Sequence, residues 1–239
     1  MKSRADTLLT IIIGASALAV AGSSVFRAIA SASQESPGIR AEPDYLRTWE
    51  EAMPYAIPIG GSETAPLTAL VISDLECPIC RTFHSTLTQV LEENPNHIRA
   101  LHLSFALPYH RFADGAARAV ECADRVGGFR LLLDAIYAKQ DSLGLKSWTS
   151  FAADAGIINS QAIQSCTTSR EPFSRIEAAR TFAESIDIKG TPTVILNGWR
   201  YPYTPSKGDL EQAIHAVLEG NEPSGERRLI AEPERVRDE

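Results

Sequence analysis

The chain has 239 residues, 44% of them hydrophobic, and 23 basic against 30 acidic side chains leave a formal net charge of −7. That length and apolar content suit one elaborated domain with a sizeable core better than two small ones. The acidic balance, with no basic stripe beyond the first few residues, argues against nucleic-acid binding as a main role.

Residues 1–33 read as a targeting segment. Lys2 and Arg4 give a positive start, Leu8 to Ala21 is uncharged and apolar, and Ala28-Ile29-Ala30 and Ala30-Ser31-Ala32 are small-x-small cleavage patterns. No charge interrupts Thr7 to Phe26, which is close to the length of a membrane span. The segment is expected to be either a cleaved signal peptide or an N-terminal membrane anchor. Both place the protein in the periplasm or on the extracytoplasmic face of the cell envelope, where disulfides persist. Residues 34–54, with Pro37, Pro43 and Pro54, read as a linker and lead-in.

The folded region is expected over 55–220. Leu67-Thr68-Ala69-Leu70-Val71-Ile72 reads as a buried strand, within 67–73. Phe83, Leu87, Val90 and Leu91 fall at helical spacing over 78–92, and the helix stops at Asn94-Pro95. A second strand follows at 98–105, with Leu101, Leu103 and Phe105 on one face and His102 and Ser104 on the other. A helical block runs over about 112–185. Ala116, Ala119, Val120 and Ala123 mark its first helix, and Phe129, Leu132, Leu133, Ile136 and Tyr137 the next. Shorter patterns lie around 148–155 and 162–166, and Phe173, Ile176, Ala179, Phe182 and Ala183 mark a longer one. Thr193-Val194-Ile195-Leu196 returns to strand, Asn197-Gly198 is a strong hairpin turn, and Trp199-Arg200-Tyr201 runs back. A last helix holds Leu210, Ile214, Val217 and Leu218 and ends at Gly220. The charged stretch 221–239 reads as a solvated tail.

The chemistry is expected at Glu76-Cys77-Pro78-Ile79-Cys80, where the first strand meets the first helix. Two thiols three apart at a helix start can close a small disulfide ring. Free N–H groups and the positive end of the helix dipole stabilise a thiolate on Cys77. Pro78 fits because a first-turn position has no N–H bond to lose. The same spacing serves zinc, but a structural zinc site needs four ligands. Cys122 and Cys166 stand far apart, and His84, His97, His102, His110 and His215 show no paired spacing. No metal is therefore expected. An inert staple is the remaining plain alternative. Cys122 and Cys166 are expected to pair as a structural disulfide, given an oxidising compartment and an even cysteine count, against the alternative of two buried free thiols.

The order β-α-β, helical block, β-hairpin, α is that of a thioredoxin-type α/β core with a helical insertion. Ser73-Asp74-Leu75-Glu76-Cys77-Pro78-Ile79-Cys80, Leu107-Pro108-Tyr109-His110, Glu121-Cys122-Ala123, and Gly190-Thr191-Pro192-Thr193 before Asn197-Gly198 follow in family order. In them the chain resembles the DsbA-like thiol:disulfide oxidoreductases of the thioredoxin superfamily. The resemblance implies that Cys77 is the exposed nucleophile and Cys80 the more buried resolving thiol. It also implies that Pro192 is a cis-proline lying against them, with Thr191 presenting backbone to an extended client beside Cys77; a simple strand start is the alternative for that segment. One position departs: the family commonly carries a buried acid six residues before the nucleophile, where this chain has Val71. Strand alternation does not place Asp74 or Glu76 at Cys80, so no general base is assigned, and His110 is not counted as catalytic. Isoleucine between the cysteines cannot stabilise the Cys77 thiolate as a histidine can, so a weaker oxidant is expected.

The expected function is an enzyme exchanging disulfides with exported proteins through Cys77 and Cys80, as a disulfide-forming oxidase ahead of a specialised reductase of exported or cytochrome-maturation proteins. A non-catalytic binding module is the alternative of a different class. No cofactor is implied. The expected partners are cysteine-bearing exported clients and a membrane redox partner that resets the pair, with the chain acting as a monomer.

Overall fold

The computed structural model describes residues 42–224. The expected targeting segment at 1–33, the first part of the expected linker and the chain from 225 lie outside the described residues. Six strands form one sheet: β1 (Asp44–Tyr45), β2 (Ile57–Gly61), β3 (Leu67–Ser73), β4 (Ile98–Ser104), β5 (Thr193–Leu196) and β6 (Trp199–Arg200), in the order β1-β6-β5-β3-β4-β2. β3 and β4 run parallel, in register from Leu67 opposite Ile98 to Ser73 opposite Ser104, while β5 pairs antiparallel with β3. A parallel pair needs a crossover, which α1 (Pro78–Glu93) supplies.

β3 is buried at every position, which is why it reads as a near-continuous apolar run, broken only by Thr68 and closed by Ser73, rather than an alternating one. Leu67, Ala69 and Val71 enter a core shared with α1, the insertion helices and α7 (Lys207–Leu218). Leu70 and Ile72 enter a second core with Leu101, Leu103 and α6 (Ser174–Ser185). α1 buries Phe83, Leu87, Val90 and Leu91, as its spacing predicts. It ends where the Asn94 side-chain amide donates to Val90 O at 3.1 Å, one residue before Pro95.

The insertion comprises α2 (Ala113–Asp124), α3 (Phe129–Ala138), α4 (Trp148–Asp154) and α5 (Ser160–Thr167), before α6 returns to the sheet. The Cys122–Cys166 disulfide joins α2 to α5 across 44 residues, with Cα atoms 5.9 Å apart. At the hairpin, Asn197 and Gly198 both have positive φ, as the expected turn requires. Asn197 also ties the turn to β3: its side chain accepts from Thr68 N at 2.7 Å and donates to Pro66 O at 2.9 Å.

Two stretches differ from the sequence expectation. The lead-in contains β1, a 3-10 helix over Trp49–Tyr55, and then the edge strand β2, which pairs with β4 through a register shift between Pro58 and Gly60. Pro43, Pro54 and Pro58 make this stretch read as irregular, yet an edge strand tolerates proline because its outer N–H needs no partner. At the other end, Asn221 to Ser224 still belong to the packed body: Trp199 Nε1 donates to Glu222 Oε2 at 3.1 Å, and the Tyr201 hydroxyl donates to Pro223 O at 3.1 Å. Among the described residues no helix is long and apolar enough to cross a membrane.

Candidate active site

The chain leaves β3 at Ser73 and enters α1 at Pro78, and the turn between them is fixed by its own side chains. Asp74 is buried, and its carboxylate accepts from Glu76 N at 2.7 Å, Leu107 N at 2.7 Å and His110 Nδ1 at 2.9 Å. The Glu76 carboxylate accepts from Phe112 N at 2.5 Å. Both acids thus bind the Leu107–Phe112 loop to the turn. This also explains the Leu107-Pro108-Tyr109-His110 motif, whose histidine anchors Asp74.

Cys77 is the N-cap residue of α1 and Pro78 its first helical residue. The Cys77 thiol donates to Thr191 O at 3.3 Å, so the chain's two distant motifs meet at the sulfur. The Thr191–Pro192 bond is cis, as the resemblance implies. Cys77 keeps 6% of its surface and Cys80 1%. Both thiols are buried, so Cys77, though it keeps the larger share of surface, is not the exposed thiol that the resemblance suggests.

The two free thiols are electrostatically unequal. Cys77 is lowered to about 5, first by the hydrogen bond from the Cys80 side chain; burial opposes this, and the Cys80 backbone, Thr191 and Ile79 add to the lowering. Cys80 is pushed strongly up, first by burial and then by the neighbouring Cys77 sulfur, against weaker opposing bonds from Ser73, Thr191 and the Asp74 backbone. Asp74 therefore reaches Cys80 through its backbone, not its carboxylate. Val71, where the resembling family carries an acid, is packed in the core.

Gln140 is a contributor that sequence reasoning missed. It is buried at the start of the 3-10 turn Gln140–Ser142, and its amide donates to Leu75 O at 2.8 Å and Cys77 O at 3.0 Å. The insertion thereby clamps the active-site turn. A single glutamine beyond a helical pattern carries no sequence signal for such a role. Ser73, which opens the motif carrying the cysteines, and Tyr137, which marks an apolar helix face, bring their hydroxyls within 2.7 Å of each other in the cavity against Cys80, a meeting that neither pattern signals.

A groove of about 480 Å³ is lined by Lys189, Gly190, Thr191, Pro192, Arg200 and Tyr203 among others, and it is linked to the dithiol through Thr191, whose carbonyl contacts Cys77. Arg200 is held by both carboxylate oxygens of Asp44, at 3.0 and 2.8 Å, and donates to Ile186 O at 2.7 Å. The β1 segment thus braces the groove. Ile79 and Tyr109 stand exposed near the dithiol turn. Among the described residues no cluster of histidines, cysteines and acids suits a metal ion.

Comparison with known proteins agrees with this geometry. The thioredoxin family model matches residues 56–216, more than half of the chain. Among solved structures, BdbD from Bacillus subtilis superposes with a TM-score of 0.60 at 17% identity, over 76% of this chain and 98% of that one. A thioredoxin-like oxidoreductase from Silicibacter pomeroyi does so with 0.58 at 19% identity, over 70% and 94%. At these identities the likeness is one of fold. Among curated proteins, the Na(+)/H(+) antiporter NhaA 1 of Mycolicibacterium gilvum is 28% identical over 73% of this chain, but the match spans only 29% of that longer protein.

Proposed function

Given that the chain belongs to the thioredoxin family, we propose that it is a protein thiol-disulfide oxidoreductase, working on exported proteins as a disulfide-forming oxidase through Cys77 and Cys80. The observation that carries this reading is the inequality of the two thiols: one lowered to about 5 at a helix start, the other buried and pushed up. A low-pKa thiolate is a stable leaving group, so it favours the reduced enzyme and makes its disulfide a good oxidant. The ion antiport named for the longer relatives stays with those proteins.

In the oxidising direction a client thiolate attacks Cys77 Sγ of the Cys77–Cys80 disulfide. The Cys77–client bond forms, the Cys77–Cys80 bond breaks, and Cys80 leaves with the electron pair and takes a proton. A second client thiolate then attacks the client sulfur bonded to Cys77. The client disulfide forms, and Cys77 leaves as the stabilised thiolate. The client loses two electrons and the enzyme gains them. A membrane redox partner that reoxidises the pair closes the cycle.

The groove at Thr191 and Pro192 suits an extended client chain, which the Thr191 backbone would align beside Cys77. The oxidising compartment is supported by the leader pattern of the sequence and by the Cys122–Cys166 bond. Ile79 supports the reductase alternative to a degree, since the ring lacks a histidine to hold the thiolate further.

Cys80→Ala tests the assignment. This variant should attack client disulfides but fail to resolve the product, so complexes linked through Cys77 should accumulate and be read by mass spectrometry under non-reducing conditions. Complexes linked through Cys122 or Cys166, or none at all, would point to the binding-module alternative.

A further inference from the structure

Cys80 must exchange a proton at each turnover in either direction, and it is buried with no carboxylate acting on it. We propose that Ser73, Tyr137 and His84 form a proton relay that connects Cys80 to Asp134 and solvent. The inference rests on the reading of Cys77 and Cys80 as the exchange pair.

A cavity of about 10 Å³ lies against Cys80, lined by Ser73, His84, His102 and Tyr137 on its polar side and by Val71 and Phe83 among its apolar walls. This is about the smallest space that holds one water, and the polar lining supplies partners for it. Ser73 and Cys80 both line this cavity, and the Ser73 hydroxyl lies 2.7 Å from that of Tyr137. The Tyr137 and His84 rings meet at a tilt of 31°, with centroids 4.7 Å apart. His84 Nε2 meets Asp134 Oδ1 at 2.6 Å. Exposure rises along this path: Ser73 and Tyr137 are buried, the His84 side chain is 10% exposed and that of Asp134 43%. The path ends on α3, which carries Tyr137 and Asp134, and the cavity against Cys80 shares no lining residue with the groove at Thr191 and Pro192.

Each remaining titratable neighbour is committed elsewhere. The Asp74 carboxylate is filled by three donors. His102 is lowered to about 3 by burial, and then by the nearby His84, so it stays neutral; its Nε2 lies 3.0 Å from Ser104 Oγ. Tyr137 is raised well above the usual phenol value by burial and the nearby Cys80, so it passes a proton without ionising. Burial raises Asp134, but hydrogen bonds from His84 and Arg130 outweigh it, so Asp134 remains a carboxylate able to steady an imidazolium. Arg130 is held by Asp134 at 2.8 Å and donates to Ile59 O at 2.8 Å.

In the resolving step the Cys80 proton passes through the Ser73 and Tyr137 hydroxyls, with one bridging water, to the second nitrogen of His84. The Cys80 thiolate attacks Cys77 Sγ, the Cys77–Cys80 bond forms, and the client sulfur leaves with the electron pair of the broken bond. The reverse direction returns the proton by the same path.

Stopped-flow reaction of the reduced protein with one equivalent of the aromatic disulfide dithiobis(nitrobenzoate) separates the two claims. Attack by Cys77 releases one coloured thiolate, and resolution by Cys80 releases a second. A missing first phase would overturn the exchange-pair reading itself. With that phase intact, Tyr137→Phe and His84→Gln should each slow the second phase by about a hundred-fold, the lower end of what a positioned proton acceptor contributes. Each should also make that phase rise steadily with pH, because hydroxide must then remove the proton. A second phase unchanged in rate and pH profile in both variants would overturn the relay; thermal melts of both confirm that the comparison is between folded proteins.

Discussion

At the residue scale the account turns on Cys77. Alkylation of the reduced protein across pH should show Cys77 titrating near 5, far below the ~8.5 of a free cysteine. Cys80→Ala should move that titration upward, since the Cys80 side chain is the largest cause of the lowering. An unchanged titration would mean that the helix start alone sets the value. The lowered thiolate also fixes the sign of a pH effect on stability. Its contribution to the reduced fold is full above the pKa of an unfolded cysteine and is lost as pH falls through about 5. The melting temperature of the reduced protein, measured against that of the oxidised one, should therefore rise from about pH 5 to about pH 8.5. Cys80, raised in the fold, opposes this only above that range. The dithiol was legible from sequence because strand, cysteine spacing and Pro78 all mark one junction. Gln140, Ser73 and Tyr137 were not, because one polar residue in an apolar pattern does not reveal which carbonyl or hydroxyl it meets.

At the element scale the insertion both braces the fold and clamps the site. The Cys122–Cys166 bond closes a 44-residue separation, and in the chain-entropy view such a crosslink stabilises by roughly 4 kcal/mol. Replacing both cysteines by alanine should lower the melting temperature while leaving peptide oxidation largely intact; lost activity at unchanged stability would show that this pair relays electrons. Gln140→Leu should leave Leu75 O without its donor and Cys77 O with only the Arg81 N–H, at a cost of about 1–3 kcal/mol read by chemical denaturation. The insertion helices, the 67–73 strand and the Asn197-Gly198 hairpin were readable from periodicity and turn chemistry. The lead-in was not: β1 has two residues, β2 carries Pro58, and the 3-10 helix encloses Pro54, so no local pattern accumulates there. Their structure comes from pairing with β6 and β4, which are distant in sequence.

At the scale of the whole molecule, the sheet brings together two motifs more than a hundred residues apart. β3 delivers Cys77 from one half and β5 delivers Thr191 and Pro192 from the other, and their antiparallel pairing, with Ile72 opposite Thr193, sets the meeting point. The order of motifs along the chain made this topology legible. The contact of Thr191 O with Cys77, and the burial of that thiol, needed the folded register. The central claim is that this pair donates disulfides, and its reduction potential in glutathione buffers tests that most directly. A value well above the about −270 mV of thioredoxin is what the lowered Cys77 and the oxidase reading predict. A value at or below it would contradict them and assign the protein to the reductases.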